Sequence, residues 1–313
     1  MTRIIEVEKN RKDVLSKNLE VDIIHNRFDV LYDSDFLLLQ IDAYYVPVKL
    51  EKSVAKVGLY LRNLPYSLLE DLFAYIFTKY PFLDSIEVKH SYTPIPGVEK
   101  YPYWHIVLPQ TIDEFDSQLS KRVRYNTKYY PKKLQTEKSC TLQTEKYSAS
   151  DASFPYIYVQ TYLNWKNQSH NFSFKGNPQS FLNTFGITDC YVLKLKRENS
   201  EETKSEEEIL AIGFICDLPS GNVYFENFSS NQNYSKYSVG MILYYQIIND
   251  LIKNRKKIFY LSGGNLEYKR HYNGVLTHTY SKSIKNNRPL LQRTFWKIWE
   301  ALKTFAEERK SNH

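Results

Sequence analysis

Apolar residues recur at three- and four-residue spacing over Met241, Tyr244, Tyr245, Ile248 and Ile252, which predicts a helix with one buried face starting near Val239. An apolar-aromatic run from Asn222 to Phe228 precedes it as a strand, with a polar loop from Ser229 to Ser238 between the two. Lys256 to Leu261 reads as a further short strand, ended by Gly263-Gly264. A strand–loop–helix–strand unit leaves free backbone N–H groups where its helix begins, and those groups suit an anionic ligand. Gly240 has no Cβ, so a phosphate can approach the main chain closely there.

The same patterns divide the rest of the chain. Residues 1 to about 20 are charged and read as a lead-in or a frayed helix. The β-rich runs FDVLY, FLLLQI, YYVPVKL and KVGLYL follow between Phe28 and Leu61, then a helix over Ser67–Tyr80 and strands over Ser85–Tyr92 and Tyr103–Leu108. Thr111 to Lys133 reads as a helix that Pro131 should kink or end. On it, Lys121, Arg124, Lys128 and Lys132 form one cationic stripe, which is either a solvated face or a ridge facing a phosphate. Ser150–Lys166 and Pro178–Phe185 read as helices, with a polar loop containing His170 between them, and Cys190–Leu195 as a strand. Arg197–Glu208 reads as a solvated acidic loop. Ile209–Cys216 forms a hairpin with Val223–Phe228, and Val275–Ile284 closes the sheet. Pro289–Lys310 is amphipathic, and its apolar side is expected to pack back on the body. Trp296, Trp299, Lys297, Lys303 and Arg309 also fit a helix lying on a membrane surface, too short to span it.

Composition narrows this picture modestly. The 313 residues suffice for two compact domains or one large one, and 27 Tyr and 17 Phe provide core despite the polar average. A net charge of +7 suits a phosphate-bearing ligand, an anionic membrane face or RNA without choosing among them. Cys140, Cys190 and Cys216 form no CxxC pair and read as buried thiols in a reducing, cytoplasmic setting. No HExxH, GxSxG, Walker or zinc spacing is present, so metallohydrolase, serine hydrolase and kinase chemistry are not indicated and no metal is expected. No recognised nucleic-acid module appears either, so DNA is not an expected partner.

Ser238-Val239-Gly240-Met241 leading the helix, then Gly264, Glu267-Tyr268-Lys269 and Tyr272-Asn273-Gly274, resembles the GNAT acyltransferase superfamily. More narrowly, it is similar to CelD/BcsL-type acetyltransferases and their FemAB-like relatives. Leu119-Ser120, Arg122, Arg124, Lys128, Leu134 and Trp165 agree with that resemblance, which covers Val107 to Lys285. Two positions depart from it: Val239 stands where the family usually has Pro, and Tyr260 where it often has an acid.

The resemblance implies an α/β protein with the GNAT fold in two halves, each a mixed central sheet flanked by helices. A reduced N-terminal half over residues 1–110 would shape the acceptor side, an acyltransferase half would cover 111–286, and an amphipathic helix would cover 287–313. It implies transfer of an acetyl or other acyl group from acyl-CoA to an amine on a cell-envelope sugar, lipid precursor or small metabolite. Ser238, Val239, Gly240 and Met241, assisted by Lys236, would hold the donor pyrophosphate, and Arg124, Lys128 and Trp165 would face substrate. Glu226 would act as a carboxylate through water, Lys269 would stabilise the oxyanion from within the cleft, and Tyr268 or Tyr272 would protonate the leaving group. Two rivals share the same residues: a FemAB-like transferase using aminoacyl-tRNA in peptidoglycan cross-bridge synthesis, and a non-catalytic GNAT-fold scaffold.

Overall fold

A computed structural model of the chain describes residues 4–7, 36–42, 44–57, 64–169, 174, 176–197, 206–218, 221–263, 267–289, 292–296 and 298–299. It divides into two compact units. One comprises the described residues up to Tyr101 together with those from His278 onward, and the other comprises Pro102–Thr277.

The first unit is built on strands β1 (Ile4–Val7), β2 (Phe36–Ile41), β3 (Tyr44–Glu51), β4 (Val54–Val57) and β5 (Ser85–Ser91), with helix α1 (Tyr66–Lys79) between the last two. The greater part of β12 (Val275–Lys285) completes it, giving the order β1-β2-β3-β4-β5-β12. β4 and β5 pair in parallel, as a crossover through α1 requires, and the other pairings within the unit are antiparallel. Leu69, Leu72, Phe73 and Ile76, at helical spacing, seat α1 on Leu39, Val48, Val57 and Ile86 of the sheet. Ile4–Val7 is a strand paired with β2, not part of a helical lead-in. The run over residues 28–32 lies outside the described residues.

The second unit has the strand order β6-β11-β10-β9-β8-β7, where β6 is Lys100–Val107, β7 Thr141–Ser148, β8 Asp189–Arg197, β9 Glu206–Asp217, β10 Val223–Ser230 and β11 Ile258–Gly263. Among the described residues of this unit, only β10 and β11 pair in parallel, joined by α6 (Val239–Lys253). α6 buries Val239, Ile242, Leu243, Tyr244, Ile247, Ile248, Leu251 and Ile252. So wide an apolar surface keeps it inside the unit, with Phe225 and Phe259 beneath it. α2 (Ile112–Gln118) and α3 (Lys121–Lys138) join the same core through Phe115, Leu119, Val123 and Leu134. α4 (Ile157–Ser169) and α5 (Pro178–Phe185) cover the other face, where Tyr162 and Phe181 pack on Phe214 of β9.

Several expectations give way here. The single helix over Thr111–Lys133 is two, because the Thr111 and Ser120 side chains each cap a new start by accepting from Glu114 N–H and Val123 N–H. α3 runs through Pro131 to Lys138. Burial of Leu134 and the Tyr237 hydroxyl bond to Glu137 hold the turn beyond the proline. Thr141–Ser148 is a strand the pattern did not predict, and Ser150–Tyr156 is not helical. Glu206–Glu208 belong to β9, where Glu207 pairs with Lys194 and Lys196 and Glu208 with Arg197, so the acidic run is partly structured. His170 lies outside the described residues. Residues 292–296 and 298–299 are helical, but Phe295 and Trp299 are 61% and 54% exposed, so they do not pack back on the body.

Candidate active site

The parallel pair at the centre of the second unit is short. β10 and β11 pair only over Val223–Phe259 and Tyr224–Tyr260. Beyond Tyr224, β10 stays on β9 through a bulge between Phe225 and Asn227, while β11 stays on β6. A bulge bends its strand and strengthens local twist, so the two strands part at Glu226. Their facing edges beyond that point carry backbone donors and acceptors that the pair itself does not use.

β10 then leads to α6. The intervening segment is a 3₁₀ helix, Gln232–Tyr237, rather than an open loop, with Tyr234 and Tyr237 buried. Ser238 turns the chain in the left-handed region (φ 52°), and its side chain caps nothing. Its carbonyl accepts from Met241 N–H and Ile242 N–H, whereas the N–H groups of Val239 and Gly240 have no acceptor among the described residues. Val239 is buried in the core, and the Cα of Gly240 faces the Phe228 ring. A Cβ there would lie 2.8 Å from Phe228 Cε2, so this glycine serves helix–strand packing as well as any ligand. Ser238 and Met241 are half-buried. Lys236 is exposed and engaged with Glu137 of α3 at 3.3 Å.

The second motif forms α7 (Glu267–His271), a single turn after β11. Tyr268 and Tyr272 both pack edge-on against Tyr244 of α6, and Tyr268 also meets Phe228. Burial raises the Tyr268 phenol to about 12 and raises the Tyr272 phenol as well. The Tyr272 hydroxyl reaches the Met241 carbonyl at 3.4 Å, which ties the motif to the start of α6. Lys269 is 1% exposed and donates from Nζ to the Gly263 carbonyl at 2.5 Å. It is therefore an interior side chain at the end of β11, not one projecting into an open cleft, and burial lowers its pKa to about 8. Gly274 N–H returns to the Lys269 carbonyl, and the chain passes so close that a Cβ on Gly274 would lie 2.4 Å from that oxygen.

Glu226 sits on the other face of the sheet. Phe225 belongs to the α6-side core, so its neighbour alternates away from it. The charge of Glu226 adds to the burial that raises the Tyr162 phenol on α4. The same alternation puts Tyr260 and His105 on that face, because Phe259, Leu261, Trp104 and Ile106 all line the α6 side. His105 lies opposite Tyr260 in the β6–β11 register, with ring centroids 6.3 Å apart. Burial lowers its pKa, so the imidazole is neutral at neutral pH. No sequence motif points to His105; its one signal in the sequence is a histidine between Trp104 and Ile106 in an apolar strand.

The remaining expected residues separate in the same way. Arg124 and Lys128 are exposed on α3, on the α6 side, whereas Trp165 belongs to α4 on the opposite face. The structure thus brings together Ser238–Met241, Tyr268 and Tyr272 on one side, and does not bring Trp165 to Arg124 and Lys128.

No protein-family model matches the chain, and no curated protein matches it either. Among solved structures it superposes on FemX with a TM-score of 0.63 at 9% identity, over 93% of this chain and 99% of that one. The chain has a GNAT/FemAB-like fold. A conserved protein of unknown function from Bacteroides thetaiotaomicron VPI-5482 is also similar, with a TM-score of 0.51 at 10% identity over 91% of this chain and 100% of that one. A GNAT/FemAB-like fold accounts for the mixed α/β architecture that the sequence predicted.

Proposed function

We propose that the chain is an acyl-group transferase moving an acetyl or other acyl group from acyl-CoA to an amine, on a cell-envelope sugar or lipid precursor. The observation that carries this reading is the parting of β10 and β11 at Glu226 beside the start of α6. An extended donor arm bearing amides can add to the unused strand edges as a short extra strand. Its pyrophosphate would meet the Val239 and Gly240 N–H groups at the positive end of α6, bordered by Ser238 and Met241. Lys236 would assist on release from Glu137.

The transfer needs an amine that loses a proton, a stabilised oxyanion and a thiolate leaving group. Glu226 accepts the amine proton through water in this reading, with neutral His105 on the same sheet face as a second base. Lys269, with a pKa of about 8, is mostly ammonium at neutral pH and supplies positive charge at the end of β11. A phenol at about 12 is a weaker acid than a departing thiol, so Tyr268 donates a hydrogen bond to the developing thiolate rather than a full proton. Tyr272 fills the same role from the Met241 side.

A specific observation favours a second reading, the aminoacyl-tRNA-dependent transferase. Lys121, Arg122, Arg124, Lys128 and Lys132 are exposed on α3 with no acidic partner among the described residues. Tyr125 and Tyr129 stack beside them, 5.2 Å between ring centroids, and both are exposed. Cations interleaved with open aromatic faces fit an RNA backbone and its bases. Thiol release on mixing acetyl-CoA with amine acceptors, unaffected by RNase, is the expected result. Amino-acid transfer that RNase abolishes, with thiol release at the uncatalysed rate, would replace the first reading with the second.

A further inference from the structure

The first unit carries two features that the transferase chemistry leaves unused. A cleft of about 620 Å³ opens between α1 and the end of β12, with Phe73, Phe77, Ile95 and Ile284 along it. Lys282, Lys285 and Arg288 stand at the same cleft against one carboxylate among the described residues, Glu70. Neither Lys285 nor Arg288 has an acidic partner among the described residues, whereas nearby Arg293 is neutralised by Asp84 at 2.8 Å. The turn bearing the cations is fixed. Asn286, 7% exposed, donates from Nδ2 to the Leu83 carbonyl at 2.8 Å, and its Oδ1 accepts from Arg288 N–H at 3.1 Å. Unpaired cations held beside an apolar trough fit a phosphate attached to hydrocarbon better than they fit a free ion.

Just beyond Pro289, which lines this cleft, residues 292–296 and 298–299 are helical. Arg293 and Trp296, three residues apart, are half-buried, and Arg293 anchors this side through Asp84. Phe295, Ile298 and Trp299, spaced by three and one, share another side and are 61%, 57% and 54% exposed. Three large apolar side chains on one helix face, turned to solvent beside unpaired cations, have the chemistry of a segment lying at a lipid interface.

We infer that this part of the first unit docks on an anionic membrane surface. Phe295, Ile298 and Trp299 enter the headgroup boundary, and Lys285 and Arg288 take a lipid phosphate at the mouth of the cleft. The inference is independent of which acyl donor the second unit uses. Charge complementarity selects the occupant: a neutral protein groove would satisfy the apolar face but not the cations.

Vesicle flotation of the full chain tests it, with phosphatidylcholine vesicles set against vesicles of phosphatidylglycerol and phosphatidylcholine in equal parts. Binding to the anionic vesicles alone is expected, falling as salt rises. Phe295→Ser combined with Trp299→Ser should lower partition about tenfold or more, and Lys285→Glu combined with Arg288→Glu on the order of a hundredfold. Phe295, Trp299 and Lys285 are exposed, and Arg288 is half-buried without an acidic partner among the described residues, so both variants should melt close to the parent chain. The tryptophan emission of the parent should shift blue on binding, and Trp299→Phe should remove most of that shift. Equal binding to neutral vesicles, or binding that survives both double variants, overturns the inference. Stabilisation by inorganic phosphate without vesicle binding would assign the cleft to a free phosphate and overturn the membrane role. A lipid-free dimer on sedimentation velocity, lost in Phe295→Ser with Trp299→Ser, would assign the apolar face to a second copy and overturn it equally.

Discussion

Replacing Lys269 with Met should make the protein's stability less dependent on alkaline pH. The amine is 1% exposed, and its pKa falls from 10.5 to about 8 because burial disfavours the ammonium. The unfolded chain holds this proton up to its ordinary pKa, so between about pH 8 and 10.5 the unfolded state binds more protons than the folded one. Stability therefore rises with pH across that window, and below pH 8 the fold carries the full cost of a buried ammonium. The shift corresponds to about 3 kcal/mol. Met cannot donate to the Gly263 carbonyl, and losing that bond costs about 1 kcal/mol at every pH. Lys269→Met should accordingly match or exceed the parent in stability by about 2 kcal/mol at pH 7, and fall below it near pH 10.5. Urea denaturation of both proteins at several pH values measures this directly. A stability difference that does not change with pH would refute the burial argument. The same titration bears on the proposed reaction, because an oxyanion-stabilising ammonium predicts turnover that declines above pH 8. In Lys269→Met, saturated turnover should drop about a hundredfold with donor affinity unchanged. A parental rate at saturation would leave Lys269 with a structural role only.

Two further outcomes follow from the geometry around the site. Gly274→Ala places a Cβ 2.4 Å from the Lys269 carbonyl oxygen and 3.1 Å from its carbon, and backbone cannot yield as a side-chain tip can. It should cost about 3 kcal/mol in urea denaturation, and an unchanged midpoint would contradict the close approach. His105, whose pKa burial lowers, should make the parent lose stability as pH falls from its ordinary 6.5 through the lowered value, since the unfolded chain takes up that proton first. His105→Phe should remove that acid limb, and an identical pH profile in the two proteins would show that the imidazole titrates as an exposed one.

The central unit was legible because its apolar residues leave little choice. Val239 to Ile252 can be buried only as a helix, and Val223–Phe225 and Phe259–Leu261 only as strands beneath it. The features that escaped were of three physical kinds. β7, with the sequence TLQTEKYS, is an edge strand whose alternate residues face solvent, so it carries almost no apolar signal. The break at Leu119-Ser120 depends on a capping hydroxyl inside a polar stretch, and α7 has only five residues, too few for a period. Lys269, which follows Tyr268 just beyond the Gly263-Gly264 break, is expected in the cleft, whereas the tight return of Gly274 over its carbonyl and its own bond to the Gly263 carbonyl hold it inside. Position along the chain puts Lys269 just after β11 but does not give its surroundings.

Those surroundings set a constraint on any chemistry in the second unit. Tyr268, Tyr272 and the start of α6 lie on one face of the sheet, and Glu226, Tyr260 and His105 on the other. A paired sheet separates its two faces by its own backbone, so groups on opposite faces can serve one reaction only where neighbouring strands stop pairing. Between β10 and β11 that happens after Tyr224, and Glu226 is the residue inside the bulge. If donor and acceptor meet, they meet there, with the acyl group reached from the α6 side and the amine from the side of Glu226. β10 runs on past the bulge to Ser230, so the bulge does not end the strand; it leaves Glu226, 7% exposed, beside the gap, with its charge felt by the Tyr162 phenol. In the proposed reaction that position gives the carboxylate its use, on the amine side of the gap, where a proton has to be taken up.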